Sequence, residues 1–176
     1  IADLNRLVSD LLDYSRTLTL HRTPMKLNAA LNDLLKQLET ELPSGSIRTE
    51  RDFLPELPPI TVDVFKLEQA LGNVLRNAVQ AMPQGGVLRV TTRLGDTPNT
   101  VIACIQDSGA GIQGDDPDAV FRPFYTTKPG GTGLGLALAQ RIVEAHGGKI
   151  SARNAIDGGA VFEISLPCAE RVSGSA

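Results

Sequence analysis

Eleven of the chain's 17 glycines fall between Asp107 and Gly159, in its second half. Glycine is the residue for left-handed backbone and for close approach of a ligand to the main chain. Its concentration here puts the backbone freedom in the second half of the chain, where flexible loops are expected. The first cluster, Asp107-Ser108-Gly109-Ala110-Gly111-Ile112, follows a continuous apolar run, Val101 to Ile105, within a strand predicted over Thr100 to Gln106. It reads either as a plain turn or as a carboxylate at a strand end with a ligand-accessible backbone beside it. The second cluster, Gly130-Gly131-Thr132-Gly133-Leu134-Gly135-Leu136, opens a helix predicted from about Leu134 to His146 and closed by Gly147 and Gly148. N–H groups at such a helix start lie on the positive end of its dipole and suit phosphate oxygens. The pattern is neither a Walker loop, which ends in Gly-Lys-Ser/Thr, nor a dinucleotide fingerprint.

The rest of the chain supplies the scaffold. Leu4, Val8, Leu11 and Leu18, with Ser15 between, carry the seam spacing of one helix, which either packs on its own domain or belongs to a helical dimerisation bundle. His21 to Pro24 breaks it. Asn28 is a candidate cap for a helix from about Ala29 to Glu41, ended by Pro43, Ser44 and Gly45. Ile47, Thr49, Arg51 and Phe53 alternate as a strand, and Pro55, Pro58 and Pro59 make a stiff connector. Asp63 caps a long helix to about Met82. Further strands are predicted at Val87 to Leu94, Lys149 to Asn154 and Ala160 to Leu166, with Gly95 to Asn99 and Asp157 to Gly159 as turns. Helices alternating with strands and hairpins predict a two-layer α/β (α+β) sandwich, helices on one face of a mixed sheet.

Composition narrows function. With 176 residues, 41% hydrophobic and 21% charged, one domain with an appended element is expected. A net charge of −3 argues against a broad basic face for nucleic acid. No apolar stretch of about 20 residues occurs, and the first ten residues lack the pattern of a signal peptide. Cys104 and Cys168 stand apart, without metal spacing, and are read as reduced thiols of a cytoplasmic protein.

Gln69, Asn73 and Asn77, at steps of four, put three amides on one side of an otherwise apolar helix. They are either solvated, or satisfied by a ligand or a network, since a buried unpaired amide costs about 1–3 kcal/mol. Carboxamide oxygens also suit magnesium shared with phosphates. Between the glycine clusters, Phe121, Phe124 and Tyr125 precede Thr126, Thr127 and Lys128 in a stretch that reads as a mobile lid or as a long anchored loop. Lys128 is the cation beside the second cluster and within reach of a terminal phosphate.

Taken in order, Asn73-x-x-x-Asn77-Ala78, Asp107-x-Gly109-x-Gly111-Ile112, Phe121-x-Pro123-Phe124 and Gly131-Thr132-Gly133-Leu134-Gly135-Leu136 resemble the four boxes of the sensor histidine kinase catalytic domain. The likeness covers about Met25 to Pro167, and the RNAVQAM and FYTTK wording is most similar to the nitrogen-regulation branch. Leu11 to Arg16 resembles the end of the second helix of that family's dimerisation and phosphotransfer hairpin. The resemblance implies a Bergerat-type ATPase fold, with 1–20 as hairpin remnant, 21–168 as catalytic ATP-binding domain and 169–176 as tail. It further implies that Asn77 ligates Mg2+ on the ATP phosphates, with Asn73 nearby or orienting the reacting group. Asp107 would accept from the adenine amine, Gly109, Gly111 and Ile112 would admit the base, and Gly131, Thr132, Gly133, Leu134, Gly135 and Leu136 would wrap the phosphates. Lys128 would serve phosphate binding and catalysis, and 113–130 would be the ATP lid.

The implied partners are ATP, a phosphoacceptor helical domain of the same protein or its dimer mate, and a response regulator receiver domain. Neither nucleic acid nor direct membrane contact is implied, and the setting is cytoplasmic, including the cytoplasmic part of a membrane-attached sensor. Departures from the pattern are specific. Neither His21 nor His146 sits in an acceptor context; both are read as structural. Ser108 replaces a commoner Asn, Gln80 replaces a Lys or His and leaves Lys128 or Arg76 as the cation, and Val161 replaces a hydroxyl residue near the adenine-bound water. Two other readings compete. ATP-driven clamps of the same fold carry a glutamate where this chain has Asn73, and a nucleotide-binding module would do no chemistry.

Overall fold

The computed structural model describes residues 11, 12, 14, 18–42, 46–128 and 131–169. Among the described residues from Thr23 onward, seven strands and three α-helices follow in the order β1 (Thr23–Met25), α1 (Leu27–Glu41), β2 (Ile47–Phe53), β3 (Ile60–Val62), α2 (Val64–Gln80), β4 (Gly86–Leu94), β5 (Thr100–Asp107), α3 (Gly135–Ala145), β6 (Lys149–Asn154) and β7 (Ala160–Pro167). A 3-10 turn, Pro117–Phe121, lies between β5 and α3. The main sheet runs β2-β4-β5-β7-β6 and is parallel at β2–β4 alone, so it is mixed, as expected.

Alternation decides which side of the sheet is covered. Leu88, Val90 and Thr92 of β4, Val101, Ala103 and Ile105 of β5, and Phe162, Ile164 and Leu166 of β7 are buried, whereas Arg89 and Arg93 face solvent. Onto the buried face α2 brings Leu67, Leu71, Val74, Leu75 and Ala78, and α3 brings Ala139, Ile142 and Val143. One core between a sheet and a layer of helices is the two-layer sandwich predicted from the sequence.

Three local expectations change. β1 and β3 form a separate antiparallel pair where the sequence predicts a helix break and a proline connector. Each is three residues long, too short for alternation to show, and Pro24 is tolerated because its strand pairs on one side. α1 starts at Leu27 with Lys26 as its cap residue, and no side chain caps it. Asn28 instead lies in the first turn, its Nδ2 donating to Leu54 O at 2.8 Å and its Oδ1 accepting from Thr92 Oγ1 at 2.8 Å, which ties α1 to the sheet. Of the first helix, Leu11, Leu12 and Tyr14 are described and helical, and the Tyr14 ring lies 4.7 Å from the Arg141 guanidinium on α3. The remainder of that expected helix, the stop at Pro43 to Gly45 and the tail beyond Ala169 lie outside the described residues.

Asp63 joins three segments. Its Oδ1 caps α2 by accepting from Lys66 N at 3.1 Å, its Oδ2 accepts from His21 N at 2.9 Å, and its own N–H donates to Nε2 of buried His146 at 2.9 Å. His146 therefore carries its proton on Nδ1, which donates to Ile142 O at 2.7 Å. The His21 and Lys66 N–H groups hold the Asp63 carboxyl below its ordinary range. A depressed carboxylate stabilises the fold above its unfolded-state value, and that contribution is lost as pH falls through the folded one. Asp63→Ala is expected to cost about 0.5–2 kcal/mol at neutral pH, and the deficit should shrink in acid. Denaturant titrations at neutral and acid pH measure both.

Candidate functional site

α2, the loop after β5 and the start of α3 meet around a cavity of about 480 Å³, a size suited to a small-molecule ligand. One turn separates Asn73 from Asn77 on α2, and both line it; Gln69, a turn earlier, does not. The stripe continues into the cavity through Arg76 and Gln80, which face it with the two asparagines.

At one end stands Asp107, 1% exposed, the last residue of β5. Its Oδ1 accepts from Gly109 N at 2.9 Å and Ala160 N at 3.3 Å. Oδ2 has no hydrogen-bond partner, alone among the described buried side-chain polar atoms. Burial drives the carboxyl above its ordinary range, although the Gly109 and Ala160 N–H groups and the Lys128 charge pull the other way. An orphaned acceptor in a cavity wall calls for a donor from a ligand, and the exocyclic amine of adenine is such a donor. Gly111, with φ +75°, and Ile112 continue the wall. Gly109 does not line the cavity; a Cβ there would stand 2.3 Å from Ala81 O, so this glycine permits the loop to pack on the end of α2. Ser108 is also turned away, its Oγ accepting from Val87 N at 2.9 Å.

At the other end Asn73 Nδ2 donates to Gly135 O at 3.0 Å, fixing the first residue of α3, and Asn73 Oδ1 accepts from Arg76 at 2.8 Å. Gly131, Thr132, Gly133, Gly135 and Leu136 line the cavity, while Leu134 is buried in the core beneath it. Gly133, with φ +66°, receives Phe124 N on its carbonyl at 3.0 Å, and a Cβ at 133 would meet Phe124 C at 2.5 Å. Phe121 is docked edge-on against Phe162 at 6.2 Å, whereas Phe124 and Tyr125 are exposed. Of the expected lid, Pro129 and Gly130 lie outside the described residues.

Lys128 reaches across to α2. Its Nζ donates to Asn77 Oδ1 at 2.8 Å, Asn77 O at 3.2 Å and Gln80 Oε1 at 3.3 Å. Burial lowers its pKa, against the opposing pull of the Asp107 charge. A cation on Asn77 Oδ1 shows that this hard oxygen points to a position where positive charge is held, which fits a magnesium ligand shared with phosphates. The placement of position 161 departs from expectation. Val161 does not line the cavity, because alternation along β7 turns Ala160 and Phe162 toward it instead.

Sequence reasoning did not single out Ala160, whose N–H holds Asp107, or Asn154, whose carboxamide pairs with the backbone of Ile112. A backbone donor carries no side-chain signal, and an asparagine at a strand end reads as an ordinary turn residue.

Sandwich and cavity together define a class: a one-faced α/β domain with a ligand site between its central helix, a strand-end carboxylate and a glycine-opened helix. The chain belongs to the histidine kinase-, DNA gyrase B-, and HSP90-like ATPase family, whose profile matches residues 62–170. It is 38% identical over 164 residues to the sensor histidine kinase ZraS of Escherichia coli K12, covering 93% of this chain and 35% of ZraS. The chain thus spans about a third of that relative's length. Full-length ShkA in complex with AMPPNP has a similar structure, with TM-score 0.81, 28% identity, and coverage of 95% of this chain and 36% of ShkA. Histidine kinase ThkA in complex with the response regulator protein TrrA matches with TM-score 0.81 and 27% identity, covering 96% of this chain and 48% of that one. These relatives do not single out the nitrogen-regulation branch. No helix among the described residues is long and apolar enough to cross a membrane.

Proposed function

We propose that this chain is the catalytic part of a two-component sensor histidine kinase: it binds Mg·ATP and delivers the γ-phosphoryl group to a histidine on a phosphoacceptor helical domain of the same protein or its dimer mate. The phosphate is then relayed to an aspartate of a response regulator. The observation that carries the reading is the make-up of the cavity wall, which joins an unpartnered buried carboxylate oxygen to amides, a lysine and a helix start.

Asp107 Oδ2 takes the adenine amine, and the Gly111–Ile112 backbone lies along the base. The N–H groups from Gly131 to Leu136 meet the phosphates at the start of α3. Asn77 Oδ1 would hold magnesium, which when bound neutralises phosphate charge during transfer. Lys128, exchanged off Asn77, is placed to follow the γ-phosphate, and Asn73 keeps α3 fixed through Gly135. Their contribution is orientation and charge, the terms that dominate phosphoryl transfer.

Transfer is favoured over hydrolysis by one feature. Asp107 is the carboxylate among the described lining residues, and it stands at the base end; none faces Asn77 to activate water. Incubated with γ-labelled Mg·ATP, the chain is expected to label no residue of its own. It should place acid-labile, base-stable label on an added hairpin bearing the acceptor histidine. Steady phosphate release without a hairpin would favour the ATPase reading instead.

A further inference from the structure

The backbone that would carry the adenine is held by a side chain that comes from the far edge of the sheet. Asn154 ends β6, and its carboxamide makes both hydrogen bonds of a backbone mimic. Ile112 N–H donates to Asn154 Oδ1 at 2.6 Å, and Asn154 Nδ2 donates to Ile112 O at 3.0 Å, across 42 residues of sequence. Among the described residues, the stretch 110–115 takes its hydrogen bonds from Asn154. Gly111 explains how the carboxamide reaches so close, because a Cβ there would stand 2.8 Å from Asn154 Oδ1. The turn after β6 presses on the same loop from behind: a Cβ at Gly159 would meet Asp107 O at 1.9 Å.

We infer that Asn154 is a positioning residue for nucleotide binding: its two bonds fix Gly111 and Ile112 as the wall of the base pocket and as the root of the lid that begins at Gln113. Ile112 is partly exposed, so water competes for its main-chain groups; its side chain packs against the core, but the main chain of 110–115 has no other hydrogen bond among the described residues and samples more conformations when released. Fixing it before the ligand arrives removes that ordering cost from binding. Asn154 does not line the cavity; it acts through Ile112, which does. The inference rests on the nucleotide reading of the cavity.

The test pairs calorimetric titration of ADP with residue-resolved amide hydrogen exchange, on the chain and on Asn154→Ala. Loss of two hydrogen bonds of ordinary strength is expected to weaken ADP about five- to tenfold. Exchange should quicken at Ile112, while α2 and β5 stay protected and the thermal midpoint falls by no more than the few degrees that this loss of free energy implies. A purely structural asparagine would instead quicken exchange through β6 and β7. That result, or an unchanged ADP affinity, overturns the inference. Failure of the unsubstituted chain to bind ADP would count against the nucleotide reading itself. The exchange difference at Ile112 would then still report whether Asn154 holds the loop.

Discussion

Asp107→Asn is expected to weaken ATP or ADP binding roughly 10- to 100-fold while leaving the ligand-free fold as stable as before, or more so. The two effects have one cause. Asp107 Oδ2 is buried without a partner, so the carboxylate is costly in the free protein and becomes useful when a donor arrives. The asparagine keeps an oxygen for Gly109 and Ala160 N–H, but points an NH2 donor where adenine presents its own. The pH dependence has a definite sign. A carboxyl raised by burial binds its proton more readily folded than unfolded, so the free protein loses stability as pH rises through the window between the two values. Nucleotide affinity should run the other way, falling in acid as the carboxylate is protonated, from a pH above the ordinary aspartate range. Asp107→Asn should abolish both trends, as titration calorimetry and thermal melts across pH would show.

Asn77→Ala is the second large effect. Asn77 Oδ1 holds the Lys128 ammonium at 2.8 Å, and removing it takes away the oxygen read as the magnesium ligand. The expected result is loss of the magnesium-dependent part of ATP binding, roughly tenfold or more, with the magnesium-free affinity little changed. Gln80 and the main-chain carbonyl of residue 77 retain their contacts to Lys128, so the segment before α3 keeps two of its attachments to α2. Isothermal titrations with and without the metal separate the two parts.

Much of this site is legible in the sequence because its parts are local. The Asn73–Asn77 step lies on one face of α2, and the carboxylate closing β5 and the glycines before α3 each mark an element end, so helical or strand periodicity places them without tertiary knowledge. What escapes is long-range or featureless. Asn154 meets Ile112 across 42 residues, and Ala160 acts through its main chain. Lys128 reads as a phosphate ligand; its seat on Asn77 and Gln80 depends on how the lid crosses α2, which spacing does not encode. β1 and β3 leave no mark because three residues show no period. Asn28 reads as a cap because caps and buried networks draw on the same side chains.

If one cavity holds an adenine nucleotide at Asp107 and its metal at Asn77, the two must show up as one linked binding event. Calorimetric titration of a non-hydrolysable ATP analogue into the chain, with magnesium and with chelator, looks for that linkage. One site per chain is expected, with an affinity that rises with magnesium, a rise absent from Asn77→Ala. Binding indifferent to magnesium, or to the Asn77 substitution in its presence, would refute the shared site.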